Sequence, residues 1–584
     1  MPVKCRLCSC FRHPGFQDEA NNLGTTSAAE QSEKPPSTSG RLPSLRWTPI
    51  LAIAATAFAV EIPFFFFGIP SGHDVEFHLY SWLEVLSQWK HGIFFPRWAA
   101  LAHFAYGEPR FVFYPPASWT LGALLTAVFP WTIASSVYIW IVLVAAGASM
   151  FVLARRWLGR RDAIFAALLY TANPYHLVIV YWRSAFAELL ASCLVPLLLL
   201  CVLNVAARRR RAFVPLALVL AASWLTNAPA AVMIHYSTAL LLVGISSRQR
   251  SLRPLFTGAA AVALGAALSA FYLLPATYEQ RWINISEVVS QGSRPVDNFL
   301  FIHTGDADHD AFNHIISCVA VLEMATILAA LAASKFRPSR QKLNTDEDLG
   351  NVLLPWAFAC SLLMFPVTAF LWRALPKMQF MQFPWRWLLC LSMIFSLLVT
   401  FAMQRWWWRG LVCVASILVV LTAWNRIQPP WWDNAADLRE MQDNMATRAG
   451  YEGTDEYTPL GADPAAIDKD ARNVTVDGPA HAAIRIYRWD AESKLFTAEV
   501  SAPDQLALRL FRYPAWQTEV NGKQVETSTK PDTGQMLVPV EAGANRVQIT
   551  FVRTWDRTAG GWISLLTAIS LMTFCTLRPK PRSS

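Results

Sequence analysis

The sequence predicts an all-α polytopic membrane bundle of about 12–13 transmembrane helices with an extracytoplasmic β-sandwich domain near the C-terminus. Three observations lead there. Of 584 residues, 54% are hydrophobic and only 16% charged, with a mean hydropathy of +0.30; a soluble chain carries roughly 25% charged residues. The apolar residues gather in runs of about 17–25, the length that crosses a bilayer as helix. Residues 425–558 instead alternate polar and apolar in the manner of strands. This composition excludes a soluble, disordered or nucleic-acid-binding protein. The net charge of +9 sits in short segments between apolar runs, so it orients the chain before it attracts any partner.

Residues 1–44 are polar, contain Ser, Pro and Glu, and lack hydrophobic periodicity, which predicts a disordered cytoplasmic tail. Cys5, Cys8, Cys10 and His13 lie too close together in it to form a convincing zinc site. No cleavable signal peptide is expected, because the first apolar run is long and has no small-residue cleavage pattern. A helical module over 45–424 follows. Its runs cover 47–69, 134–154, 162–182, 186–206, 212–227, 228–246, 254–275, 313–334, 351–373, 383–403 and 410–424, and a final helix covers 559–578. The segment 117–130 is too short to cross at ~1.5 Å per residue. It reads as a re-entrant or interfacial helix, with a thirteenth span as the alternative.

Basic clusters at Arg155/Arg156/Arg160/Arg161, Arg208–Arg211, Arg248/Arg250/Arg253, Lys335/Arg337/Arg340/Lys342 and Arg405/Arg409 orient these runs, together with the tail 579–584. Placed in the cytoplasm, they leave 70–116, 276–312, 374–382 and 425–558 outside. Strand-like runs at 483–487, 506–511 and 546–551, with turns at Asn521-Gly522 and Gly543–Asn545, mark the outer β-rich domain. None of the ten cysteines falls in an external segment, so no disulfide framework is expected there.

The chemistry-bearing residues gather in the outer segments. Directly after the first run come His73, Asp74, Glu76 and His78. Asp74 and His78 share a helix face at a spacing of four. Solvated acids on an interfacial helix explain this pattern, as does a general base beside a membrane-embedded substrate. Arg183 with Glu188, and Arg386 in Gln382-Phe-Pro-Trp-Arg386, stand at the outer starts of helices. Such residues pair or snorkel, or they bind a lipid phosphate, for which the planar guanidinium is well shaped. The loop 276–312 adds Arg281 and Asp306-Ala-Asp308, which reads either as a solvated loop or as a site for a divalent cation such as Mg or Mn; the sequence demands no cofactor. Within the runs, Glu61, His235 and Glu323 are ionisable and so are functional candidates by default.

The outer acidic motif after the first span resembles the C-type glycosyltransferase superfamily (GT-C), in which such an acid is the catalytic base and the donor is a polyprenyl-phosphate-linked sugar. More narrowly, Gly72-His73-Asp74, Phe95-Pro96-Arg97-Trp98, Gly107-Glu108-Pro109, Phe113-Tyr114-Pro115-Pro116, Tyr181-Trp182-Arg183, Gln382 to Arg386 and Gly453 to Pro459 resemble a bacterial membrane family catalogued as "6-pyruvoyl-tetrahydropterin synthase-related". Pterin synthase chemistry needs a three-histidine zinc site, and no such triad is evident.

The resemblance implies a GT-C-like bundle in the bacterial inner (cytoplasmic) membrane. Its activity would be sugar transfer from a polyprenyl-phosphate donor to an extracytoplasmic acceptor, an envelope glycan or lipid. Asp74, Glu76 and His78 are then the catalytic candidates. His73, Arg97, Tyr114, Arg183, Glu188, Arg281 and Arg386 are the substrate-binding candidates, and no metal ligand is assigned. The alternative is a lipid-linked saccharide transporter or flippase without transferase activity.

Overall fold

The computed structural model describes residues 47–209, 211–335, 345–403, 405–426 and 431–576. The tail 1–44 with Cys5, Cys8, Cys10 and His13 lies outside them, as do Arg210, Arg337, Arg340, Lys342 and the terminal segment 579–584.

Among the described residues, 8 helices are long and apolar enough to cross a membrane, and two bent pairs raise the number to at most 10. The expectation of about 12–13 spans is corrected accordingly. The run over 47–69 stops as helix Thr48–Val60 and resumes only as Phe64–Phe67, and 212–227 yields only Phe213–Thr226. Helices of that length reach about 20 Å at ~1.5 Å per residue, short of a hydrocarbon core of ~30 Å. The run over 254–275 bends by 78° between Arg253–Leu268 and Ala270–Trp282, and that over 351–373 bends by 92° between Gly350–Leu363 and Pro366–Ala374. Hydropathy records how apolar a stretch is, but not where its axis turns. The segment 117–130 forms the helix Pro116–Val128, where Gly122 lets the Trp82 indole lie directly against the backbone.

Two spans form a tight hairpin that matters for the site. Span Arg160–Arg183 ends in a π-helical turn, Ile179–Arg183. Ser184 then takes a left-handed conformation (φ 47°), and Phe186–Ala206 runs back. Arg160 and Arg183 therefore mark opposite ends of one span, roughly 35 Å apart at ~1.5 Å per residue.

The C-terminal strands lie in two open antiparallel sheets, so the expected β-sandwich is corrected. The four-stranded sheet runs Val474–Val476, Asp504–Phe511, Gln535–Val540, Ser528–Thr529. The five-stranded sheet runs Ala482–Trp489, Ser493–Val500, Gly543–Phe551, Trp516–Val520, Lys523–Val525. Alternation along a strand identifies its buried face but does not say what covers it. Here Trp98, Tyr106, Ile283 and Tyr457, from outside both sheets, enter the same buried cluster as the strands. The Trp98 ring lies 5.7 Å from Tyr513, 5.5 Å from Trp516 and 5.7 Å from Phe551.

A buried ion pair locks the last helix, Trp555–Thr576, to this assembly. Arg557 donates from Nε and Nη2 to the two Glu279 oxygens, each at 2.7 Å, and the Tyr513 hydroxyl donates to the same carboxylate. Removing one partner leaves the other charge buried and unpaired. Arg557→Ala is expected to destabilise the protein by about 3–5 kcal/mol, read as a large drop in melting temperature in detergent. A melting temperature equal to wild type would contradict the locking role.

Candidate functional site

The site begins where the turn Pro70–Asp74 crosses the tip of the span hairpin. The Gly72 amide donates to Ser184 Oγ (3.0 Å), the Ser184 hydroxyl donates to the Pro70 carbonyl (2.8 Å), and the Asp74 amide donates to the Arg183 carbonyl (2.9 Å). A Cβ on residue 72 would stand 2.6 Å from the Arg183 carbonyl carbon, so only glycine allows the two chains to meet so closely. That contact brings together side chains 109 positions apart, and Arg183 Nη2 donates to Asp74 Oδ2 at 3.1 Å. Asp74 precedes the helix Val75–Lys90 and is 38% exposed.

Beneath it, Glu188 is a hub. It accepts from Arg183 Nη1 (3.0 Å), from Arg386 Nε (3.2 Å) and from the Tyr175 hydroxyl. Arg386 sits in the turn Pro384–Trp387 at the start of its span, and its Nη1 donates to the Met381 carbonyl (2.7 Å) and Gln382 Oε1 (3.1 Å). The Phe383 ring lies 5.0 Å from the Arg183 guanidinium and 4.7 Å from that of Arg386. All three charged groups are buried, and each is paired. They open on a cavity of about 940 Å³, which is also lined by His73, Glu76, Tyr114, Lys377, Glu452 and Glu456.

The other sequence candidates take different places. Glu76 lines the cavity, where burial and the Glu452 carboxylate raise its pKa. His73 also lines it; burial and Arg183 lower its pKa. His78 does not line it. Its ring stacks on Phe186 at 5.1 Å, and burial pushes its pKa down to about 4, so the imidazole is neutral at neutral pH. Arg97 and Arg281 stand apart, over the rings of Phe95 (4.4 Å) and Tyr278 (3.6 Å).

Asp306 accepts from the amides of Asp308 and His309, and Asp310 from those of Thr304 and Gly305, at the start of helix Ala307–Lys335. Among the described residues, no three His, Cys, Asp or Glu side chains gather as metal ligands. Glu61 lines a separate cavity of about 530 Å³; Glu323 accepts from the Ser392 hydroxyl (2.8 Å), and His235 contacts the Ala231 carbonyl (2.7 Å).

Tyr175, Lys377, Glu452 and Glu456 were not singled out by sequence reasoning. A signal existed for Glu456 in the segment Gly453 to Pro459, but nothing in the sequence says that this segment folds over the cavity. Burial and the nearby Glu108 raise the Glu456 pKa to about 7. Gly453 makes the fold-over feasible, because a Cβ there would strike the His103 ring at 2.1 Å. Glu108 fastens the lid-like segment. It bonds Arg110 Nε at 2.5 Å and His103 Nε2 at 2.9 Å, and it accepts from the Thr454 amide at 2.9 Å.

A family model described as "6-pyruvoyl-tetrahydropterin synthase related domain; membrane protein" matches residues 111–428, more than half of the chain. The chain belongs to this family. In this 6-pyruvoyl-tetrahydropterin synthase-related membrane protein, the matched region holds Arg183, Glu188 and Arg386, whereas Asp74 and Glu456 lie outside it. Comparison with curated proteins finds no match.

The solved structures similar to this chain include the following two. One is the oligosaccharyltransferase of Archaeoglobus fulgidus in its apo form, 14% identical, with a TM-score of 0.38 over 71% of this chain and 57% of that one. The other is ArnT from Cupriavidus metallidurans bound to undecaprenyl phosphate, 12% identical, with a TM-score of 0.30 over 76% of this chain and 93% of that one. This chain thus spans little more than half the length of the oligosaccharyltransferase.

The Glu108 anchor has a pH signature. Burial works to raise its pKa, but Arg110 and His103 outweigh burial and hold it at about 2, below the ordinary 4.5. A depressed carboxylate stabilises the fold above its unfolded pKa, and that contribution fades as the pH falls through its folded value. The melting-temperature difference between wild type and Glu108→Gln is therefore expected to be full above about pH 4.5 and to shrink toward about pH 2. A difference that stays flat across that window would remove the ion-pair explanation.

Proposed function

We propose that this protein is an integral-membrane glycosyltransferase that moves a sugar from a polyprenyl-phosphate donor to an acceptor on the extracytoplasmic side. One observation carries the reading: a half-buried acid, Asp74, sits 3.1 Å from Arg183 and shares a cavity with Arg386. An acid next to two guanidiniums combines a group that can take a proton with groups that can hold a phosphate. Among the described residues, Asp74 Oδ1 and Arg386 Nη2 have no protein partner, so each is free to meet a substrate.

In this mechanism Asp74 takes the proton of the acceptor hydroxyl as that oxygen bonds to the anomeric carbon. The bond from that carbon to the phosphate oxygen breaks, and the leaving polyprenyl phosphate keeps the electron pair. Arg386, together with Lys377 on the same cavity, stabilises the charge developing there. Protonation of Asp74 weakens its hold on Arg183, which frees that guanidinium for the phosphate when the charge appears. Glu188 positions both arginines. Glu76 and Glu456 line the same cavity, which Glu452, Gly453 and Thr454 help to enclose.

The test is sugar transfer from polyprenyl-phosphate-linked donors by the purified protein in liposomes. Asp74→Asn is expected to lower the rate by about 10²–10⁴-fold with the fold intact. Arg386→Ala should weaken donor use, and Glu188→Gln should impair both. Transfer unchanged by Asp74→Asn would remove the base. Movement of a lipid-linked sugar across the bilayer without transfer would favour a transporter.

A further inference from the structure

A second cavity, of about 540 Å³, lies away from Asp74 at the far end of helix Val75–Lys90, where the β-rich region meets it. Its walls are the face of that helix around Glu84, Ser87 and His91, the C-terminal end of helix Ala435–Thr447 with Arg448, and the hairpin tip Trp489 to Lys494. Arg448 Nη1 donates to the Trp489 carbonyl at 2.8 Å and so pins the hairpin over the opening. The volume is that of a small-molecule site.

We propose that this cavity is a binding site for a neutral saccharide unit, separate from the cavity that holds Asp74. The inference needs no transfer chemistry and stands apart from the functional reading above.

The charge pattern argues against an anion. Glu84, Asp490 and Glu492 line the cavity beside Arg448, Lys494 and Arg509, so no excess of positive charge faces it. The basic groups are also largely engaged. Arg509 spends its guanidinium on the carbonyls of Phe104 (2.8 Å), Ala471 (3.1 Å) and Lys469 (2.7 Å). Lys494 donates to the carbonyls of Asp490 and Ala491, and burial lowers its pKa to about 7, so it carries only part of a charge at neutral pH.

What remains available is the equipment for hydroxyl groups. The Asn473 amide and the Ser493 hydroxyl line the cavity with no side-chain hydrogen bond among the described residues, and the Glu492 carboxylate, which feels the charges of Arg557, Arg97 and Lys494, makes none either. Arg448 keeps further N–H groups beyond the one given to Trp489. Carboxylate, amide and guanidinium together accept from and donate to a ring of hydroxyls. The half-buried indole of Trp489, which has the Lys494 ammonium over its ring at 5.7 Å and the Phe496 ring 6.3 Å away, also lines the cavity as an apolar surface for the C–H side of a sugar ring.

The experiment is binding to the full-length protein, purified in a detergent without a sugar headgroup, followed by calorimetry and tryptophan fluorescence. The probes are galactose, mannose, N-acetylglucosamine and their disaccharides, with inorganic phosphate and glycine as controls. Saturable millimolar binding of at least one sugar is expected. It should weaken roughly tenfold or more in Glu492→Gln and in Trp489→Ala, consistent with loss of one charged hydrogen bond or one stacking face. Asn473→Ala gives a third variant, and monodispersity of each variant is checked beforehand. The proposal is overturned if no sugar in the panel binds, if sugars bind equally well to the variants, or if phosphate or glycine binds in preference.

Discussion

The buried Glu188 carboxylate is the interaction on which the site depends. Two guanidiniums enter a low-dielectric region from different spans, and burying either without a counter-charge would be costly. Glu188 supplies it to both at once, with the Tyr175 hydroxyl as a further donor. Arg183 is left with one edge for Asp74, and Arg386 with Nη2 uncommitted. The hub therefore sets where positive charge faces the cavity, and the cavity's chemistry follows from that placement.

Close backbone approach is the second constraint. Gly72 lets the turn before Asp74 lie on the span hairpin, and Gly453 lets the segment 453–459 lie on His103. The second approach sits beside strained backbone: His103, Phe104 and Ala105 all have positive φ. Such conformations persist only where surrounding contacts over-determine them. Here those contacts include the Glu108–Arg110 pair and the aromatic cluster around Trp98 and Phe511. The segment 70–116, the β-rich region and the last helix are thus packed together, with Asp74–Arg183 tying the first to the span hairpin and Glu279–Arg557 tying the last to the turn after Ala270–Tyr278.

The bundle below is less regular than its hydropathy suggests. Two runs are too short to cross and two are sharply bent; Pro63 stands at the break after Thr48–Val60 and Pro366 at the 92° bend, whereas the 78° bend falls at Ser269. Irregular backbone is tolerated at membrane depth where protein or a cavity surrounds it. The bent helix Ala270–Trp282 lies beside the site cavity through Tyr272 and Gln280, in keeping with that rule.

Composition and charge spacing alone determined that this chain is a multi-pass membrane protein, because burying apolar runs in lipid needs no knowledge of what packs against them. The same local logic picked out Asp74, Arg183, Glu188 and Arg386, since charged residues at the ends of apolar runs are costly enough to be conspicuous. Only the tertiary structure decided which of them meet. Arg97 and Arg281 looked equivalent to Arg183 in the sequence but stack on neighbouring rings instead, while Lys377 reaches the cavity and Tyr175 reaches Glu188 without a local pattern to announce them. The strand alternation was legible, yet the two sheets stay open because residues distant in sequence complete their core. The physical reason is the same in each case: hydropathy and charge are properties of a segment, whereas pairing, bending and closure depend on long-range contacts.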